Sequence, residues 1–195
     1  MKNSFFGYIK ITCKSYFCLE LKPNQMKKYI ISLALVLVNS IAHSQSNKTN
    51  STDSEIEDRI AIKNIVDTFS ILADLKETSK QTLLFTEDAT VESIFNGKIG
   101  SSFKGRKEIG DAFSSFLKLY QVVYHINGQQ TVNIEGEKAT AISYCLVTLI
   151  NTENGNKMKT TFGIYYNDDF VKIQNQWFIS KRVSNFVWQE KSKIE

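Results

Sequence analysis

The sequence has few of the residues from which common catalytic and metal sites are built. It contains two histidines and three cysteines among 195 residues, and their spacing matches no zinc site. It also lacks the G-x-S-x-G elbow of serine hydrolases and the Gly-rich Walker loop that holds nucleotide phosphates. These absences exclude the usual signatures of those classes, and we expect no bound metal.

A strong charge of either sign is also missing once an N-terminal leader is set aside. From Met26 the chain reads MKKYIISLALVLVNSIAHSQS, and residues 26–44 have the lysines, apolar run and small residues of a secretory signal peptide. Removing residues 1–44 takes away six of the 24 Lys and Arg and one of the 20 Asp and Glu, which leaves 18 basic residues against 19 acidic ones. This balance gives no electrostatic reason to expect nucleic acid or an anionic membrane as a partner.

The leader predicts export to the periplasm or the exterior, with cleavage between Ser44 and Gln45. The alternative is a membrane anchor, which needs about 20 mostly apolar residues. The polar pair that begins at Asn39 interrupts the apolar run before that length, so we expect no stable membrane insertion after cleavage. Because a signal peptide starts near its charged residues, we expect Met26 to be the true start and residues 1–25 to be a mis-assigned extension.

The rest of the chain predicts one domain. Residues 45–53 carry no apolar side chain and are expected to form a disordered tail. No Pro/Gly/Ser linker, internal repeat or change of composition follows over residues 54–190. Cys145 is then the only cysteine, so an oxidising compartment would find no intrachain disulfide to form. Its place in an apolar strand predicts a core residue and not a nucleophile.

Helical patterns come early in this domain. Ser54 and Glu57 form a capping box ahead of apolar residues at three-and-four spacing, and Thr78 and Gln81 form a second box before a short helix. A third helix is predicted over 106–120. The apolar stripes consist of Ile62, Ile65, Val66, Phe69, Leu72 and Ala73 in the first helix, Leu83, Leu84 and Phe85 in the second, and Ile109, Phe113, Phe116, Leu117 and Tyr120 in the third.

After residue 120 the apolar period changes to two, which is typical of strands. Turn residues separate strands predicted near 121–126, 129–135, 138–150, 158–171 and 176–188, and Asn-Gly at 96–97 predicts a short hairpin before the third helix. Early helices and late, long strands predict an α+β domain whose sheet wraps round the helices. Such a sheet leaves a cone whose mouth can hold a small, mostly apolar ligand.

The order of these motifs resembles a known superfamily. A short helix ending in LFTEDATVES, a hairpin, the helix FKGRKEIGDAF, a strand with a central histidine and the segment WFISKR are together similar to the SnoaL-like branch of the nuclear-transport-factor-2-like (NTF2-like) superfamily, its polyketide-cyclase- and dehydratase-like branch. The resemblance covers residues 54–190. It implies a cone-shaped α+β barrel with N-terminal helices packed in a curved antiparallel sheet, an internal pocket, and no metal or organic cofactor.

The same resemblance implies a catalytic set. Asp74 in ILADLKE matches the acid that orients the catalytic histidine in scytalone dehydratase and its relatives. His125 in YHINGQ matches the base that removes a proton from carbon, and Arg182 in ISKRVSN matches the arginine that holds developing negative charge. The chemistry is consistent, because a carboxylate on one imidazole nitrogen leaves the other as a base near neutral pH. An arginine in a dry cavity stabilises charge more than it would in water.

Sequence periodicity leaves these placements open. Asp74 lies off the centre of the apolar stripe of its helix, and a solvated helix-end residue is the alternative. His125 and Tyr124 point to opposite faces of their strand, and alternation does not say which face is inward. The alternative to a catalytic base is therefore a histidine packed in the core. Lys181 and Arg182 are adjacent on a strand, so one of them must face outward. The alternative to a site role for Arg182 is therefore an ordinary surface cation.

Aromatic side chains are expected to line the pocket: Phe69, Phe95, Tyr144, Phe162 and Tyr166. Phe69 also stands where several of the lyases keep a polar residue and where ketosteroid isomerases keep a catalytic acid. Ser93 replaces the carboxylate base of those isomerases, which argues against their chemistry. Two functions remain open: a cofactor-free lyase or isomerase for a small hydrophobic molecule, and a non-catalytic exported ligand-binding or interaction module.

Two surface features are also predicted. The last strand carries more large aromatic residues than one core face needs, which predicts a homodimer interface. These residues are Trp177, Phe178, Phe186 and Trp188. The acidic pairs at 87–88 and 168–169 are expected to be solvated surface acids, since adjacent strand residues point to opposite faces.

The signal peptide gives the first testable prediction. When the gene is expressed in its native host, the recovered protein should begin at or near Gln45, because the pattern after Met26 ends in a signal-peptidase site. N-terminal sequencing of the exported fraction measures this directly. A soluble cytoplasmic product that still carries residues 26–44 would refute it.

Overall fold

The computed structural model describes residues 53–195. The predictions for the extension at 1–25, the signal peptide at 26–44 and most of the tail at 45–53 concern residues outside that range. Residues 53–74 are helical, so Ser54 lies inside the described helix and not at its N-cap. Within residues 53–195, no helix combines the length and apolar character needed to cross a bilayer.

Two helices precede the first two strands, and a third helix follows these strands, ahead of the four longest ones. Helix α1 covers 53–74 and ends just before Lys76, whose φ of 57° lies in the left-handed region. Helix α2 (Thr78–Gln81) runs into a single 3₁₀ turn at Thr82–Leu84. Helix α3 (Arg106–Leu117) begins after Gly105, whose φ of 82° suits glycine.

Six strands form one open sheet. They are β1 (Phe85–Phe95), β2 (Lys98–Lys104), β3 (Val122–Glu135), β4 (Lys138–Glu153), β5 (Asn156–Ile173) and β6 (Gln176–Lys193). Their order across the sheet is β2-β1-β6-β5-β4-β3. All neighbours pair antiparallel except β1 and β6, which are parallel. The α+β class and the curved sheet are therefore confirmed, with an unclosed sheet and one parallel pair.

The helices pack against the inner face of this sheet. One core cluster joins Ile62 and Val66 of α1 and Ile109 of α3 to Phe85 of β1 and Phe170 of β5. A second cluster, which includes Ala73 and Leu117, continues along β3, β4 and β5. Burying each large apolar side chain contributes roughly 1.5–3 kcal/mol. The predicted stripes of α1 and α3 therefore supply much of the core.

The first turns of α1 are also tied to the sheet by polar contacts. Asp58 accepts hydrogen bonds from the Lys172 ammonium at 2.7 Å and from the Trp177 indole at 2.8 Å. Trp177 is buried in the core. Its side chain therefore does not belong to the exposed aromatic surface that the sequence predicted.

Several predicted boundaries are wrong for local reasons. Asn127-Gly128 is a bulge within a continuous β3 and not a turn, because the Asn127 side chain bonds to α1 instead of closing a loop. Glu77 is the N-cap of α2, and Thr78 makes no capping bond. Phe85 begins β1 instead of ending a helix, and α3 ends at Leu117.

Candidate functional site

A cavity of about 430 Å³ lies between the inner face of the sheet and helices α1 and α3. Its size is typical of pockets for small molecules. Most of its wall is apolar or aromatic, and includes Val91, Phe103, Phe113, Phe116, Leu117, Val147, Leu149 and Ile164. The polar side chains of the wall are few: Gln81, Ser93, Ser101, His125, Tyr166, Arg182 and Ser184.

His125 is one of these polar residues, and Asp74 lies behind it. Strand alternation places Val123 and His125 on the inner face of β3, whereas Tyr124 is exposed. The His125 Nδ1 atom is 2.6 Å from Asp74 Oδ1, and the His125 backbone N–H donates to Asp74 Oδ2 at 3.2 Å. Asp74 does not line the cavity. Because a carboxylate accepts, the neutral imidazole in this position has its proton on Nδ1 and its lone pair on Nε2.

The Asp74 contact belongs to a longer row of hydrogen bonds, which we call the polar seam. It joins Asp67, Ser70 and Asp74 of α1 to His125 and Asn127 of β3. Ser70 donates to Asn127 Oδ1 at 3.0 Å, and Asn127 Nδ2 donates to Asp67 at 2.9 Å. The three helix residues have the i, i+3, i+7 spacing of one helix face. This polar stripe is a sequence pattern from which the orientation of Asp74 toward the sheet could have been predicted.

Arg182 lies on the inner face of β6, and the neighbouring Lys181 is partly exposed. Its Nε and Nη2 atoms each donate to a carboxylate oxygen of Asp168 at 2.7 Å. Both residues are 1% exposed. The prediction that Asp168 is a solvated surface acid is therefore wrong. Asp168 lies in the middle of β5, directly opposite Arg182, so strand alternation turns it inward with Tyr166 and Phe170.

The guanidinium of Arg182 is also enclosed by rings. Its Cζ atom lies 4.1 Å from the Phe69 ring centroid and 4.3 Å from that of Tyr166. Burial acts to lower the pKa of Arg182, but the paired Asp168 raises it, so the side chain stays cationic. Its third nitrogen, Nη1, is buried and has no hydrogen-bond partner among residues 53–195. Arg182 therefore lines the cavity and keeps one buried donor unused.

Two further buried groups keep their protons. Burial raises the pKa of Tyr166 well above its usual value, so the phenol is neutral. Burial also raises the pKa of Cys145 to about 11, so its thiol is not a nucleophile near neutral pH. Of the two residues, only Tyr166 lines the cavity.

The structure brings together most of the predicted pocket residues. Phe69, Phe95, Phe162 and Tyr166 line the cavity. Tyr144 does not: it is 54% exposed on the outer face of β4. Since adjacent strand residues point to opposite faces, the inward Cys145 forces Tyr144 outward, and its predicted place in the pocket is corrected. Over residues 53–195, no group of three or more His, Cys, Asp or Glu side chains is arranged to hold a metal ion.

Comparison with known proteins agrees with this architecture. The family model of the SnoaL-like domain matches residues 54–183. Uncharacterized proteins of Mycobacterium tuberculosis and Mycobacterium bovis are 26% identical over 137 residues, which is 70% of this chain and 90% of theirs.

Solved structures show the same fold at low sequence identity. A putative scytalone dehydratase of Novosphingobium aromaticivorans is 19% identical, with a TM-score of 0.64 over 74% of this chain and 93% of that one. A hexachlorocyclohexane dehydrochlorinase is 15% identical, with a TM-score of 0.60 over 72% of this chain and 91% of that one. The predicted NTF2-like fold is thereby confirmed.

The buried pair gives a stability prediction. Asp168→Leu and Arg182→Met should each lower the free energy of unfolding by about 3–5 kcal/mol, because each leaves one buried charge without its partner. The double variant should recover most of that loss, since no buried charge remains. Urea denaturation followed by circular dichroism measures all three.

The control for this comparison is Lys191→Met, which removes an ammonium that is bonded to Glu153 on the surface. It should leave the unfolding midpoint almost unchanged. A double variant that is no more stable than the worse single variant would contradict the charge argument.

Proposed function

The chain belongs to the SnoaL-like domain family, and from that membership we propose that it is a cofactor-independent lyase or isomerase for a small hydrophobic substrate. One observation carries the proposal. His125 is held by Asp74 through Nδ1 while it lines an apolar cavity, so its other nitrogen is available to a bound molecule. That is the arrangement a general base needs.

The proposed reaction begins with proton removal. His125 Nε2 takes a proton from a carbon next to an activating group such as a carbonyl, and the electron pair of the C–H bond moves onto that group. The Arg182 Nη1–H donates a hydrogen bond to that group, and the positive charge gained by His125 offsets the negative charge that develops there. Asp74 stabilises the imidazolium and holds its ring in place.

Completion of the reaction needs a proton donor, and no carboxylic acid of the described residues lines the cavity. The imidazolium of His125 then fills this role. The electron pair then moves back from the activating group. In an isomerisation it forms a bond between another carbon and the proton that His125 returns. In an elimination it forms a carbon–carbon double bond while the bond to the leaving group breaks, and the leaving group takes the proton. A single base that takes and returns the proton acts on one face of the substrate.

A second candidate is a non-catalytic binding module of the same fold. The observation that favours it is Phe69, whose ring covers the guanidinium of Arg182 at 4.1 Å where related lyases keep a polar residue. Such a module would bind the same class of molecule without proton transfer. The two candidates therefore differ in carbon-acid chemistry and not in ligand binding.

Proton exchange at carbon separates these candidates. In D₂O, the wild-type protein should catalyse deuterium incorporation next to the carbonyl of 2-tetralone or 2-acetonaphthone, measured by proton NMR. His125→Gln should lower the catalysed rate by about 10²–10⁴-fold, the usual contribution of a general base.

Asn133→Gln is the matched control, since it changes an exposed residue of the same strand and should leave the rate unchanged. Wild-type exchange no faster than buffer, with the ketones bound, would favour the binding module.

We also propose that the protein acts after export and has no nucleic-acid partner. The signal-peptide pattern after Met26 supports export, and the near balance of 18 basic and 19 acidic residues beyond residue 44 supports the second statement.

We further propose a homodimer through the outer face of the sheet, to which Trp188 contributes but Trp177 and Phe186 do not. Phe186 lines the cavity and stacks on Phe95 with 4.0 Å between ring centroids, so it is not a surface residue. Trp188 remains half exposed. Cross-strand pairing joins it through Gly163 to Leu146 and Ile126, in one apolar row across the outer face of the sheet. A row of this kind is typical of an interface.

The molar mass of the protein in solution tests whether it forms this dimer. The wild-type protein should have the mass of two chains by light scattering at micromolar concentration, and Leu146→Lys should give the mass of one chain, because it places a charge in the apolar row. Lys159→Glu, a charge change elsewhere on the same sheet, is the control and should not alter the mass. A monomeric wild-type protein would refute the proposal.

A further inference from the structure

Two buried polar atoms of the cavity wall are unused. Gln81 Oε1 and Arg182 Nη1 have no hydrogen-bond partner among residues 53–195, and each residue is 1% exposed. Leaving such an atom unpaired costs about 1–3 kcal/mol. One is an acceptor and the other a donor, so a single ligand with the complementary pair of groups satisfies both.

Both atoms belong to side chains that contact Phe69. Gln81 Nε2 donates to the Phe69 carbonyl oxygen at 3.1 Å, and this bond orients the amide so that Oε1 is its unused atom. The Arg182 guanidinium stacks on the Phe69 ring. Gln81 and Arg182 therefore lie in the same part of the cavity wall, next to Phe69.

The charge in this part of the cavity wall is not positive, although an arginine is present. Asp168 neutralises Arg182 through two hydrogen bonds of 2.7 Å. The carboxylate of Asp74 lies behind His125. Of the residues among 53–195 that line this apolar cavity, Arg182 alone carries a fixed charge, and Asp168 compensates it. Because uncompensated charge is very costly in such surroundings, an anionic ligand finds no net attraction there.

We propose that Gln81, Arg182 and Asp168 form a specificity site for uncharged ligands. The ligand places a carbonyl oxygen on Arg182 Nη1 and an adjacent N–H or O–H on Gln81 Oε1, and its apolar body fills the aromatic part of the cavity. Carboxylates of the same shape are rejected. This inference rests on the proposed function for its choice of cavity, and it assigns the class of molecule that the cavity takes.

Three naphthalene probes of nearly equal size test the site. Naphthalene-2-carboxamide offers an acceptor and a donor, 2-acetonaphthone offers the acceptor alone, and 2-naphthoate carries a negative charge. Dissociation constants are measured at pH 8 by titration calorimetry, with protein-observed NMR to place the binding in the cavity. The amide should bind about tenfold more tightly than the ketone, which corresponds to one hydrogen bond, and the carboxylate should bind most weakly.

Gln81→Leu tests the acceptor. It should remove the difference between amide and ketone and leave the affinity for the ketone almost unchanged. Gln129→Leu, which makes the same change at an exposed residue of β3, should keep the tenfold difference. An amide-to-ketone ratio that Gln81→Leu does not alter would overturn the role of Gln81.

Asp168→Asn tests the charge argument, because it leaves Arg182 with uncompensated positive charge. If the variant folds, its affinity for 2-naphthoate should rise by about tenfold or more relative to the amide. The wild-type ranking and Gln81→Leu decide the proposal even if this variant does not fold. Wild-type binding of 2-naphthoate as tight as that of the amide overturns the proposal, as does the absence of binding by all three probes.

Failure of this site and failure of the proposed function give different results. Binding needs no turnover, so the ranking of probes can hold in a protein that exchanges no deuterium. Conversely, exchange that depends on His125 together with equal binding of amide and carboxylate would keep the catalytic proposal and remove this one.

Discussion

The polar seam between α1 and β3 sets the geometry on which the cavity depends. Its hydrogen bonds fix both the rotation of the helix and its distance from the strand, because they run from side chains at three successive positions of one helix face. The bulge after Asn127 is part of the same arrangement, since the Asn127 side-chain amide bonds to the helix just before the β3–β4 register shifts. His125 is then held two residues away, through its ring and its backbone. The inward direction of the histidine is thus a property of the helix-strand contact and not of the strand alone.

A second constraint is the burial of a full charge pair beside this cavity. Arg182 and Asp168 satisfy most of each other's hydrogen-bonding capacity, and two aromatic rings cover the guanidinium. Such a pair contributes little net stability compared with apolar residues of the same volume, but it is costly to break. The pair leaves one donor, Arg182 Nη1, without a partner among the described residues. The pair keeps that donor rigid while it removes the attraction that a bare arginine would have for anions.

Much of this fold could be predicted from the sequence, and the features that could not be predicted have physical reasons. Apolar spacing located α1 and α3, and period-two alternation located the strands, because both patterns follow from which face is buried. Alternation could not say which face of β3 was inward, and only packing against the helix decides that. The charged pair escaped prediction because Asp168 and Arg182 lie on different strands, so that only the β5–β6 register brings them together. Tyr144 was misplaced for a simpler reason: its inward orientation was incompatible with that of Cys145 beside it.

The place of β6 in the sheet has a consequence for the order of assembly. This strand lies between β1 and β5 and is parallel to β1, so Thr90 pairs with Lys181 across about half of the chain. Contacts so distant in sequence are formed at a high cost in loop-closure entropy, and they slow folding. Because β6 also carries Arg182, the hairpin of β1 and β2 cannot join the rest of the sheet, and the cavity cannot acquire its cation, until that strand is in place. A chain still being synthesised would therefore hold no finished cavity, and the cavity would be complete only after β6 had joined the sheet.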